Sequence, residues 1–246
     1  MKKTMLNNTL SILIASLFVF TACTTKNNPQ SENTNSQLKS EVLTSEAQEN
    51  LTPEQILADL REGNERYVNN NLTPRNYQAQ VKATSGGQYP EAIILSCVDS
   101  RVPVENVFDK GVGDIFVARV AGNFVNEDIL GSAEFATAVA GSKVVVVMGH
   151  ESCGAVKAAI DGVEMGNITA MLDKIEPAVE MTANYSGDRN SSNNDYVTEV
   201  VNNNVLNTIE EMRKNSPIIA ELERNGEVVI AGAFYDLDTG KVTFLN

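Results

Sequence analysis

The chain contains three cysteines and a single histidine, so chemistry that needs a thiolate or an imidazole has few places to sit. Cys97 stands in Cys97-Val98-Asp99-Ser100-Arg101, while His150 and Cys153 share His150-Glu151-Ser152-Cys153-Gly154. Two thiolates and an imidazole are donors that zinc takes in tetrahedral sites. Three protein ligands leave the fourth position for water, as in a catalytic rather than a structural site. Two other readings of the same residues stand beside this one: a Cys97–Cys153 disulfide, common in exported chains, and a histidine that is simply part of a core. Against both is the coincidence that the sole histidine, at the end of an apolar run, is followed three residues later by a cysteine. Asp99 and Arg101 read either as a surface ion pair or as a carboxylate held next to the metal by paired guanidinium hydrogen bonds.

These residues need elements that bring them together. Cys97 follows the apolar run 92–95, His150 follows the run 144–148, and a third run occupies 115–120. Each run is continuous rather than alternating, which predicts strands covered on both faces, and the stretches between them have helical periodicity, clearest over 127–140 and closed by Gly141. The expected fold class is α/β, a mainly parallel central sheet flanked by helices. In such a sheet ligands gather at the carboxyl ends of strands, where Cys97, His150 and Cys153 would meet. Thr52-Pro53-Glu54-Gln55 is a capping box with proline in the first turn, opening an N-terminal helical arm with Ile56, Leu57, Leu60 and Tyr67 on one face. Ser152 is expected to cap a helix over 155–160, placing Cys153 in a first turn whose dipole favours the thiolate, with Gly154 leaving the backbone uncluttered. Further on, 166–182 and 196–214 read as helices separated by a polar loop over 185–195, and 227–234 with 241–245 as a C-terminal hairpin.

Composition limits the function classes. With 42% hydrophobic and 21% charged residues the chain is neither collagen, nor wholly disordered, nor a multi-pass membrane protein. Nineteen basic against 32 acidic residues give a formal charge of −13, which excludes nucleic acid or an anionic membrane surface as the main partner. Lys2 and Lys3 precede an apolar stretch over 10–20 that ends at Thr21-Ala22-Cys23, a secretory signal over 1–22. Phe20-Thr21-Ala22-Cys23 resembles the lipobox of bacterial lipoproteins, with Phe where Leu is commoner. That resemblance implies lipidation of Cys23 and an exported protein held by a lipid anchor alone, periplasmic or at the cell surface. Residues 23–50, rich in Asn, Ser, Thr, Gln and Glu, are expected to be a flexible tether, and 51–246 one catalytic domain. Lipid on Cys23 and metal on the other two cysteines would leave no odd thiol.

The chain also resembles the β-class carbonic anhydrases in their exported lipoprotein form. The likeness rests on Cys-x-Asp-x-Arg and His-x-x-Cys in this order. It extends through Glu62-Gly63-Asn64-Glu65-Arg66-Tyr67, Arg119-Val120-Ala121-Gly122-Asn123, Gly131-Ser132-Ala133-Glu134-Phe135-Ala136 and Tyr235-Asp236-Leu237-Asp238-Thr239-Gly240. The resemblance implies zinc on Cys97, His150 and Cys153, and reversible hydration of CO2 to bicarbonate by zinc-bound hydroxide oriented by Asp99 and Arg101. It implies substrate contacts from Gln88, Phe116 and Gly154, and Asp99 as a fourth ligand in a closed state. It also implies a homodimer or dimer of dimers with the pocket at the subunit interface. The chain departs from the family in Ala121, smaller than the usual valine, and in having no tryptophan, which removes the tryptophan-containing bicarbonate site of the allosteric subgroup. A CS2 or COS hydrolase on the same scaffold, and a non-enzymatic exported zinc-binding lipoprotein, are the alternative functions.

Overall fold

Ala92–Ser96 (β1) and Val144–His150 (β3) are buried along their whole length, as continuous apolar runs require when both faces of a sheet are covered. Ile115–Arg119 (β2) is only half-buried, because it is the edge of the sheet rather than an inner strand. The computed structural model describes residues 38–245. The signal segment, Cys23 and the first part of the expected tether lie outside the described residues. Among these, the sheet has five strands in the order β2-β1-β3-β4-β5. Val229–Tyr235 (β4) runs parallel to β3, and Val242–Phe244 (β5) returns antiparallel to β4 as the hairpin. The mainly parallel α/β class is therefore the observed one, with β1 and β3 adjacent.

Helices cover both faces. Pro53–Val68 (α2) begins with the full reciprocal capping box of Thr52 and Gln55 and lays Ile56 and Leu60 on the face formed by Ile94, Val144, Val146 and Met148. Asn64 on α2 donates to the carbonyls of Val107 and Gly240 at 3.1 and 2.9 Å and accepts from Val242 N at 2.8 Å, fastening the hairpin to the helix. Glu127–Glu134 (α5), continued by a π-helical turn over Phe135–Val139, covers the opposite face together with Asn194–Asn215 (α9) and Pro217–Arg224 (α10). Gly149 permits the close approach of α9 to β3: a Cβ there would lie 2.6 Å from Val201 Cγ1. The smaller helices are Tyr77–Thr84 (α3), Val104–Val107 (α4) and Gly154–Ile160 (α6).

Three expectations need correction, and one helix lies outside them. The segment after Leu38 is folded rather than a tether through residue 50. Lys39 pairs with Arg75, and Ser45–Asn50 (α1) is a helix capped by Thr44. The buried Gln48 donates to the carbonyls of Pro90 and Ala140 at 2.7 and 2.9 Å. Hydrogen bonds fix this stretch where apolar burial could not. The helix expected over 166–182 is two, Gly166–Leu172 (α7) and Glu176–Met181 (α8), the second starting with Pro177 in its first turn, a position proline favours. The α10 helix was not anticipated, although Ser216-Pro217 marks its start and the Ser216 hydroxyl accepts from Ile219 N. Ser152 does not cap α6. It has a left-handed backbone, φ 51°, and Cys153 is the N-cap, without a side-chain cap bond.

Candidate metal centre and active site

The parallel register sets β1 and β3 side by side, with Ser96 opposite Met148. The chain leaves β1 at Cys97, ends β3 at His150 and turns through Ser152 into Cys153. The three ligand atoms of Cys97, His150 and Cys153 lie within 4.8 Å of one another, and all three residues are buried. Both cysteines are free, so the disulfide reading is not realised. His150 Nδ1 lies 2.8 Å from the Glu151 carbonyl oxygen, which can only accept. Nδ1 therefore carries the hydrogen, and Nε2 presents its lone pair. That Nε2 is buried and has no hydrogen-bond partner. Leaving such an acceptor unmade costs about 1–3 kcal/mol, and a cation among the three donors removes that cost, so the residues fit a metal.

The thiols carry the same message. A hydrogen bond from the Cys153 thiol lowers the Cys97 pKa against the opposing effect of burial, with smaller help from the Gly122 amide. The same bond, together with burial, raises Cys153. The two thiols thus lie within hydrogen-bonding reach of each other, and a divalent cation held there would take both as thiolates, the ligating form.

Asp99 reaches toward this cluster, its Oδ2 3.8 Å from His150 Nε2, but its hydrogen bonds go to Arg101. Oδ1 accepts from Arg101 N at 2.9 Å and Nε at 3.0 Å, and Oδ2 from Nη2 at 2.7 Å. These bonds hold the Asp99 carboxyl well below the usual carboxylate range. Asp99 thus faces the cluster ionised, with both carboxylate oxygens held by Arg101.

Two residues outside the expected set support the loop. Arg119 donates from Nη1 to the Cys97 carbonyl at 2.8 Å and from Nη2 to the Val102 carbonyl, spanning the Cys97–Val102 turn. Gly122, in the same motif, donates its N–H to Cys97 Sγ at 3.4 Å. Gly154 lies at the mouth, exposed, with open space where a Cβ would stand. Gln88 and Phe116 are not brought to the cluster within one chain. Phe116 is paired with Ile93, four residues short of Cys97 and so about 13 Å away along the strand. Gln88 is exposed ahead of β1.

Comparison with known proteins agrees with this geometry. The carbonic anhydrase family profile matches residues 92–242. Carbonic anhydrase 2 of Mycobacterium tuberculosis is 34% identical over 200 residues, spanning 78% of this chain and 92% of that protein. Among solved structures, a tetrameric β-carbonic anhydrase of the ascomycete Sordaria macrospora aligns with a TM-score of 0.60 at 25% identity, covering 78% of this chain and 96% of that one. The Coccomyxa β-carbonic anhydrase, solved with acetazolamide, shares the fold at a TM-score of 0.60 and 23% identity, over 78% and 82% of the two chains. With more than half of its length matched by the family profile, and with a Cys-His-Cys cluster where two parallel strands end, the chain belongs to the β-class carbonic anhydrase family.

Proposed function

We propose that this protein is a zinc-dependent carbonic anhydrase that interconverts CO2 with bicarbonate and a proton, with Cys97, His150 and Cys153 holding the metal. The observation that carries the reading is the buried, unpartnered Nε2 of His150 among two free thiols. Zinc held there would supply Lewis acidity, lowering the pKa of a water so that it can serve as nucleophile. Two thiolates and a neutral imidazole balance the ion's charge, which weakens that acidification and favours alkaline conditions.

The chain's own residues do the rest. Asp99 accepts a hydrogen bond from the attacking water and directs its lone pair at the carbon of CO2. Arg101 keeps Asp99 ionised and fixes its rotamer by the bidentate contact. Arg119 holds the turn that carries both Cys97 and Asp99. Gln88 and Phe116, remote from the cluster of their own chain, serve the pocket of a second copy in a homodimer or a dimer of dimers. A zinc-storage protein would have no task for the Asp99–Arg101 pair beside its metal. We assign the protein to the outside of the cytoplasmic membrane, anchored by lipid on Cys23. Cys23→Ser should release it from membranes in a fractionation assay. Retention in that variant would make the uncleaved 10–20 segment the anchor.

Stopped-flow CO2 hydration by the full chain, with metal analysis of the same sample, tests the whole reading. About one zinc per chain together with hydration activity is expected of a three-ligand catalytic site. A metal-free protein with a Cys97–Cys153 disulfide would overturn it.

A further inference from the structure

Asn204 lies on the inner face of α9, wholly excluded from solvent in a row otherwise formed by Val197, Val200, Val201 and Val205. An amide in such a place is unfavourable unless it is bonded. Its Nδ2 donates to the Gly122 carbonyl at 2.7 Å, and its Oδ1 has no partner among the described residues. The bond to Gly122 is the one hydrogen bond the Asn204 side chain makes among the described residues.

Gly122 is the residue whose N–H points at Cys97 Sγ. Its φ of +80° turns the N–H that way, and a Cβ there would lie 2.4 Å from Ile175 Cδ1. The two peptide planes that meet at Gly122 are therefore fixed from opposite sides, one by the Asn204 amide and the other by the sulfur. Asn204 makes no hydrogen bond to Cys97, His150 or Cys153, yet it is one peptide removed from the bond made to Cys97.

We infer that Asn204 is a positioning residue for the metal, locking Gly122 so that its N–H holds the Cys97 sulfur in ligating orientation and draws electron density from it. The inference rests on the reading of Cys97 as a zinc ligand. Hydrogen bonds to ligand sulfurs, and outer-shell groups that orient ligands, set metal affinity and the donor strength of the thiolate.

The test uses the full chain carrying Asn204→Leu, with Thr208→Val as control. Thr208 is one turn further along α9, equally buried, with a hydroxyl that also lacks a partner. Asn204→Leu should weaken zinc binding by about 10–100-fold in a chelator competition. In the cobalt(II)-substituted protein it should move the thiolate-to-metal charge-transfer band to lower energy, because the sulfur regains electron density. Thr208→Val should match the unsubstituted protein in both. An Asn204→Leu protein that folds, binds zinc as tightly as the unsubstituted chain and leaves the band in place overturns the inference. If the leucine variant does not fold, Asn204→Ser takes its place. The unsubstituted protein loaded with spin-active cadmium then gives a direct reading, since scalar coupling between the Gly122 amide and the metal is expected and its absence overturns the inference. Failure of the unsubstituted chain to bind zinc at all would instead sink the proposed function.

Discussion

The two ends of the parallel sheet treat buried polar groups in opposite ways. At the amino-terminal end Asp109, whose side chain is wholly buried, accepts from the hydroxyl of Thr73 at 2.6 Å, from Arg66 Nε at 2.5 Å and from Arg75. Beside it Lys110 pairs with Glu91 and Asp59. Each of these charges faces an opposite one, and the one buried side-chain atom of the network without a hydrogen-bond partner among the described residues is Arg75 Nε. At the carboxyl-terminal end the buried His150 Nε2 is left without a partner beside two free, buried thiols. Satisfied networks hold a fold in one arrangement. An unsatisfied cluster of donors, kept in place by the rest of the molecule, stores an affinity for a cation. Stability and chemistry are thereby placed at opposite ends of the same strands.

Substitutions at each end separate the two roles. The largest effect is expected from His150→Ala, which should reduce zinc from about one per chain to a trace by elemental analysis and abolish CO2 hydration, while the far network keeps the protein folded. Retention of stoichiometric zinc would break the contrast. Asp109→Asn should do the reverse. It leaves the guanidinium of Arg75 buried without its counter-charge, a loss of about 3–5 kcal/mol measurable by urea unfolding, with zinc content unchanged. The acid response follows the same group. Burial raises the Asp109 pKa, but the hydrogen bonds from Thr73, Arg75 and Arg66 outweigh it and lower the value to about 2, below the ordinary value of about 3.9. Its contribution is therefore complete above pH of about 4 and is lost as pH falls toward 2. The Asn variant should lack that part of the acid transition. Asp99→Asn sharpens the comparison within the carboxyl-terminal end. It should leave zinc bound and reduce hydration by about 10²-fold in a stopped-flow assay, and unchanged turnover would remove the carboxylate from the mechanism.

The carboxyl-terminal side of this division was legible in the sequence, and the amino-terminal network was not. The apolar runs before Cys97 and His150 announced adjacent parallel strands, and a lone histidine three residues before a cysteine singled out the cluster. The capping box at Thr52 was equally plain. What the sequence hid depends on single hydrogen bonds or on backbone geometry. Gln48 anchors α1 in a stretch whose composition reads as unstructured. Ser152 takes a left-handed conformation, which hands the N-cap of α6 to Cys153. Asn204 stood in a run of three asparagines, and only its position on an apolar stripe of α9 distinguished it from its neighbours. Gln88 and Phe116 carry no local mark of the side of the sheet on which they fall.

The imidazole of His150 would have both nitrogens committed once a metal is bound, Nδ1 to the Glu151 carbonyl and Nε2 to the ion, and it is the sole histidine in the chain. Hydration releases a proton at every turnover, and histidine is the side chain best suited to relay one near neutral pH. Free carboxylates, with ordinary pKa values of about 4, and tyrosines, at about 10, are poorly matched to that relay at pH 7. The proton must then leave through water to whatever base the surroundings provide. Turnover at saturating CO2 should rise several-fold with increasing imidazole buffer, by about the margin that relay by a matched base provides, while the second-order constant for CO2 stays flat. The speed of this protein is thus set partly by the buffering capacity of the medium it is exposed to.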